Sequence, residues 1–128
     1  MMVADSDVLI DFLRGRDPWA GRIKLEIATG HLATTAINTF ELLSGAKSDA
    51  DREKVERLLA ALTVLGVTPH ASQRAADIRR GLEAAGQGIG LADYLIAGVC
   101  LVNGGVLLTR KREHFGRVPD LHLSGRHL

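Results

Sequence analysis

Three acidic residues interrupt apolar stretches of this 128-residue chain: Asp5 in MVADSDVLI, Glu41 in INTFELL and Asp93 in GLADYLIAGV. A carboxylate taken out of water is costly unless it is paired, hydrogen-bonded or bound to a metal. Singly, two of them have ordinary readings, Asp5 as a helix cap and Asp93 as a first-turn acid favoured by the helix dipole. Asp7 is expected to be an exposed first-turn acid. Glu41 resists this treatment, because at 100° per residue it shares a helix face with Ile37, flanked by Phe40 and Ser44. Together the three describe an acidic pocket. Carboxylates gathered in one place raise one another's pKa unless a divalent cation neutralises them. Oxygen-only ligands suit a hard ion, Mg2+ or Mn2+, which can activate water and stabilise charge developing on a phosphodiester. The histidines, His31, His70, His114, His122 and His127, show no zinc-binding spacing.

The elements that must position these acids follow from the hydrophobic pattern. Residues 2–4 read as a buried strand, with Ser6 as N-cap of a helix over 7–14. Pro18 opens a helix reaching 30, and 31–35 form a second strand. A helix over 36–45 has Gly45 as C-cap. An amphipathic helix over 49–62 follows, with Val55, Leu58, Leu59 and Leu62 at helical spacing. A third strand is expected over 63–68, a helix from Pro69 or His70 to 85, and an apolar helix over 91–102. Residues 106–109 form a fourth strand, and 121–123 an edge strand. Short apolar strands alternating with helices imply an α/β fold: a short parallel sheet of four to five strands in a three-layer α/β/α sandwich. Ligands of such sheets bind beyond the carboxyl ends of the strands, where Asp5 ends the first.

A hydrophobic fraction of 46% with 24% charged residues fits one globular domain over residues 1–128. A net charge of +1 excludes a global basic field for nucleic acid. The single Cys100 cannot form an internal disulfide, which fits a reducing, cytoplasmic setting and a place in the core. The acidic start lacks the pattern of a signal peptide. The longest uncharged run, 94–109, falls short of a membrane span.

Four stretches carry a family resemblance. They are Val3-Ala4-Asp5-Ser6-Asp7-Val8-Leu9-Ile10-Asp11-Phe12-Leu13-Arg14-Gly15, Thr34 through Ala46 around Glu41, Gly90 through Ala97 around Asp93, and Leu108 through Pro119. In this order they resemble PIN-domain ribonucleases, in particular VapC-type toxins of toxin–antitoxin pairs. The resemblance implies a Mg2+- or Mn2+-dependent endoribonuclease in which Asp5, Glu41 and Asp93 hold the metal and position the attacking water. It makes Asp7 a secondary member of the pocket, with Ser6 and Thr109 as hydrogen-bonding hydroxyls beside it. It also implies a cognate antitoxin that blocks the site, and a homodimer. One position departs from the pattern: Lys111 stands where the family usually has Asn or Asp. A single metal, a substitute acid from Glu113 or Asp120, a weakened enzyme, or a direct contact from Lys111 to RNA phosphate would each accommodate it.

Arg110, Lys111, Arg112 and Arg117 cluster after the fourth strand, either as a solvated loop or as a track for RNA phosphates. Phe115 is expected to pack. Two other readings compete. One is a degenerate PIN-like module that binds RNA or protein without cutting. The other is a phosphatase resembling the haloacid-dehalogenase family, suggested by Asp5-Ser6-Asp7 after a strand, although no Gly-Asp-x-x-x-Asp follows.

Overall fold

The first strand, β1 (Met2–Ala4), is the centre of the sheet in the computed structural model, which describes residues 1–125. It pairs in parallel with β2 (Leu32–Thr35) on one side and β4 (Val106–Leu108) on the other. Outside these lie β3 (Thr63–Leu65) and β5 (His122–Leu123), giving the order β3-β2-β1-β4-β5 with every pairing parallel. The expected three-layer parallel architecture is therefore present, with five strands.

Side chains of a strand alternate between the two faces of its sheet. Here Val3 and Leu107 point into one core and Ala4 and Leu108 into the other. The first core is covered by α5 (Pro69–Ala84), α6 (Leu91–Val102) and the short α7 (Arg112–Phe115), through Ile78, Leu82, Ile96, Cys100 and Phe115. The second is covered by α1 (Ser6–Leu13), α2 (Trp19–Ala28), α3 (Ala36–Gly45) and α4 (Asp49–Ala60), through Val8, Leu9, Ile23, Leu42, Val55 and Leu58. Val55 and Leu58 thus spend the apolar face of α4 within the chain. Burial pushes the Cys100 thiol up to about 12, with the Asp5 charge adding to it, so Cys100 is a neutral core residue. At Gly98 a Cβ would meet the Ala71 carbonyl oxygen at 2.5 Å, so only glycine lets α6 lie this close to α5.

The helix starts follow from hydroxyl and carboxylate caps. Ser48 accepts from the Asp51 N–H, Thr68 from the Ala71 N–H, and Thr35 forms a reciprocal capping box with Asn38. The caps also account for several departures from the expected boundaries. The third strand ends at Leu65 rather than 68, because Thr68 is committed to capping α5. The fourth ends at Leu108, because the Thr109 hydroxyl turns to Asp5. Asp5, not Ser6, is the N-cap of α1, and its carboxylate accepts from the Ser6 N–H. The C-cap of α3 is Ala46, one residue beyond Gly45. The helices expected to reach 30 and 62 stop at Ala28 and Ala60. The stretch after β4, read as loop, contains α7. His127 lies outside the described residues. Among those described, no helix is long and apolar enough to cross a membrane.

Candidate active site

Asp5 leaves the carboxyl end of β1 with its N–H on the Leu108 carbonyl at 2.9 Å and is only 1% exposed. Burial of this depth demands partners. Its Oδ1 accepts from the Ser6 N–H at 2.8 Å and from Asn38 Nδ2 at 3.0 Å, and its Oδ2 accepts from the Thr109 hydroxyl at 2.7 Å. Every donor in this set belongs to a neighbouring strand end or helix start.

Asn38 is the hub. It is fully buried, and the Thr35 hydroxyl donates to its Oδ1 at 2.7 Å, which fixes the amide's orientation. Its Nδ2 then reaches Asp5, Ser6 Oγ at 2.9 Å and, more loosely, Glu41 Oε1 at 3.5 Å. The Ser6 hydroxyl donates to that same Glu41 oxygen at 2.7 Å. Asp5 and Glu41 are thereby bridged twice, although they lie on different elements.

Asp93, in the first turn of α6, is 5% exposed and occupied differently. Lys111 Nζ lies 3.2 Å from its Oδ1, and His114 Nδ1 lies 3.7 Å from its Oδ2. Thr109 links the two halves, because its oxygen accepts from the Lys111 N–H at 3.0 Å while its hydroxyl donates to Asp5. Burial alone would pull the Lys111 pKa down. The charges of Asp5, Asp93 and Glu41, with the hydrogen bond to Asp93, outweigh it and raise the pKa. The lysine is a cation set among the acids.

Asp7 departs from its expected exposure. It is half-buried, because α1 lies against the turn after β4 and the Arg110 N–H donates to Asp7 Oδ2 at 3.0 Å. Its Oδ1 is buried with no partner. Burial, then the charge of Asp5, raises its pKa from 3.8 to about 6, against the pull of N–H donors from Arg110 and Val8.

The basic residues have protein partners. Arg110 Nη1 contacts both oxygens of the buried Asp11, at 3.0 and 3.2 Å. Arg112 donates to the Ser124 carbonyl and Arg117 to the Gly88 carbonyl. Phe115 is fully buried, as expected. Glu113 and Asp120 do not replace the missing acid: both are strongly exposed and face Arg117 and Arg74 respectively.

Asn38, Asp11 and His114 are the participants that sequence reasoning gave no role. A usable signal existed for Asn38, which stands three residues after the capping Thr35 and three before Glu41. Asp11 had a weaker one, four residues after Asp7 in an apolar helix.

Among the described residues, no three His, Cys, Asp or Glu side chains converge closely enough to enclose a metal ion. Asp5 and Glu41 are joined, while Asp93 is engaged by Lys111. The donor chemistry still suits one hard ion: the acids offer only oxygens, Asp5 and Glu41 are oriented by fixed donors, and Asp7 Oδ1 is a buried acceptor without a hydrogen bond.

A family model described as PIN domain matches residues 2–121. Ribonuclease VapC10 of Mycobacterium tuberculosis is 39% identical over 125 residues, which cover 94% of this chain and 90% of that protein. Ribonuclease VapC19 of the same organism is 29% identical, over 94% of this chain and 97% of that one. Among solved structures, VapBC2 from Rickettsia felis bound to a promoter DNA fragment contains a chain of the same fold, with a TM-score of 0.86 at 22% identity over 96% of both chains. DNA-bound VapBC from Salmonella typhimurium contains another, with a TM-score of 0.82 at 25% identity over 97% of this chain and 98% of that one.

Proposed function

The chain belongs to the PIN-domain family and is VapC-like, and from that premise we propose that it is a Mg2+- or Mn2+-dependent endoribonuclease, the toxin of a toxin–antitoxin pair. The observation that carries this reading is the doubly bridged pair Asp5–Glu41 at the carboxyl edge of a parallel sheet, with Asp93 attached to it through Thr109 and Lys111. Residues 1–128 act as one nuclease domain.

Asp5, Glu41 and Asp93 hold the ion. When bound, that ion supplies Lewis acidity toward water and phosphate oxygens. Ser6, Asn38 and Thr109 keep the Asp5 and Glu41 oxygens in fixed directions, so that little reorganisation is needed at the moment of reaction. Asp7 adds a buried acceptor without a hydrogen bond. Arg110, Lys111 and Arg112 bring positive charge to the lip of the acidic pocket, where an RNA backbone must approach.

The partners proposed are an RNA substrate, a cognate antitoxin and a second copy of the chain, in a cytoplasmic setting. A groove lined by Ile10, Leu13, Leu42 and Val55 and by the charged Arg14 and Lys54, with Glu41 at its side, suits an antitoxin segment that covers the site. The test is purified protein with Mn2+ or Mg2+ on a broad panel of single-stranded RNAs. Cleavage that chelation abolishes is expected. Binding without cutting would establish a binding module instead, and hydrolysis of small phosphate monoesters would establish a phosphatase.

A further inference from the structure

The ammonium of Lys111 sits inside the acidic network rather than beside it. Its backbone N–H is fixed on the Thr109 hydroxyl, the same group that donates to Asp5. Its side chain then reaches the Asp93 carboxylate, which is 7% exposed, while remaining 43% exposed itself. An ammonium carries three donors, and Asp93 takes one of them. Among the described residues the other two have no partner, and they belong to a half-exposed group beside Asp93.

Charge counting gives this placement a meaning. Asp5, Glu41 and Asp93 would be balanced by one divalent ion together with one ammonium, which leaves Asp7 as the fourth acid of the pocket. A second divalent ion would lie against that ammonium, and Glu113 and Asp120, which point elsewhere, offer it no acid.

We propose that Lys111 is a catalytic residue that stands in for a second divalent ion: held on Asp93, its ammonium donates to a non-bridging oxygen of the scissile RNA phosphate. This rests on the ribonuclease reading. Lys111 makes and breaks no covalent bond and keeps its protons throughout. It neutralises charge that grows on the phosphate in the transition state, with its ammonium held on Asp93 and its backbone N–H on Thr109.

The experiment pairs a metal count with cleavage. Calorimetric titration of the full chain with Mn2+ alone should give one ion per chain for the natural protein and two for Lys111→Asp. Lys111→Ala should still bind one ion but cut RNA slower by a factor on the order of 10² at saturating Mn2+. Lys111→Arg should recover most of that loss. Thermal denaturation of each variant, which changes only a half-exposed side chain, verifies that it is folded. Two ions in the natural protein, or a Lys111→Ala variant that cuts at the natural rate or faster, would overturn the role of Lys111 and leave the ribonuclease reading standing. One ion in the natural protein and two in Lys111→Asp, without RNA cleavage by either, would support the charge replacement and overturn the ribonuclease reading.

Discussion

Asn38 Nδ2 lies 3.0 Å from Asp5 Oδ1, and this one amide ties the acid at the end of the first strand to the helix that carries Glu41. The amide is itself oriented by Thr35, the N-cap of that helix. A capping box, ordinarily a device for starting a helix, here also aims a side chain into the acidic pocket.

Replacing Asn38 should therefore affect stability and site together. Asn38→Ala takes a donor from the buried Asp5 Oδ1 and the acceptor from the buried Thr35 hydroxyl, and should cost about 1–3 kcal/mol. Asn38→Asp removes the donors and adds a like charge beside Asp5, so it should cost more in chelator and regain part of the loss when Mn2+ is added. Urea denaturation of both variants with and without Mn2+ reads this out. An Asn38→Asp protein as stable as the natural one in chelator would contradict the role given to the amide.

Asp7 sets a pH dependence in the metal-free protein. Its pKa is raised from 3.8 to about 6. Below about pH 4 both the folded and unfolded chains hold this proton. Between about 4 and 6 the folded chain keeps it while the unfolded chain releases it, so stability falls as pH rises through that window and then stays level. The shift corresponds to roughly 3 kcal/mol before screening, and about 1–2 kcal/mol remains for a half-buried group. Asp7→Asn should remove this slope. Denaturation midpoints between pH 4 and 7 in chelator would show it, and an unchanged slope in the variant would refute it.

The Arg110–Asp11 pair should prove structural. Asp11 is nearly buried and Arg110 is half exposed, so their coupling belongs between the about 1 kcal/mol of an exposed pair and the about 3–5 kcal/mol of a buried one. A double-mutant cycle with Arg110→Ala and Asp11→Asn should give about 1–2 kcal/mol. Coupling near zero would free Arg110 for a role in RNA binding alone.

Much of this was legible in the chain itself. The alternation of short apolar runs with helices gave the parallel sheet, and Asp5, Glu41 and Asp93 stood out because a carboxylate in an apolar pattern needs a reason. The boundaries of α6 are those its apolar run predicts. What escaped was set by contacts between distant parts of the chain. Asp7 meets Arg110, and Asp11 meets the same arginine, only because β4 pairs with β1. No local pattern announces that approach. The strands end at Leu65 and Leu108, short of the expected 68 and 109, because Thr68 and Thr109 suit a strand by propensity, while Thr68 caps the helix that follows it and the Thr109 hydroxyl bonds to Asp5 across the fold. Lys111 was visible as a departure from the family, but its partner was not.

In the proposed nuclease, Asp5, Glu41 and Asp93 hold one divalent ion. Anomalous scattering from crystals of the protein grown with Mn2+ locates that ion. A single ion is expected, with oxygens of Asp5, Glu41 and Asp93 about 2.0–2.2 Å away, and no ion when Asp5 is replaced by Asn. An ion bound without Asp5, or none at Mn2+ concentrations that support RNA cleavage, would contradict it.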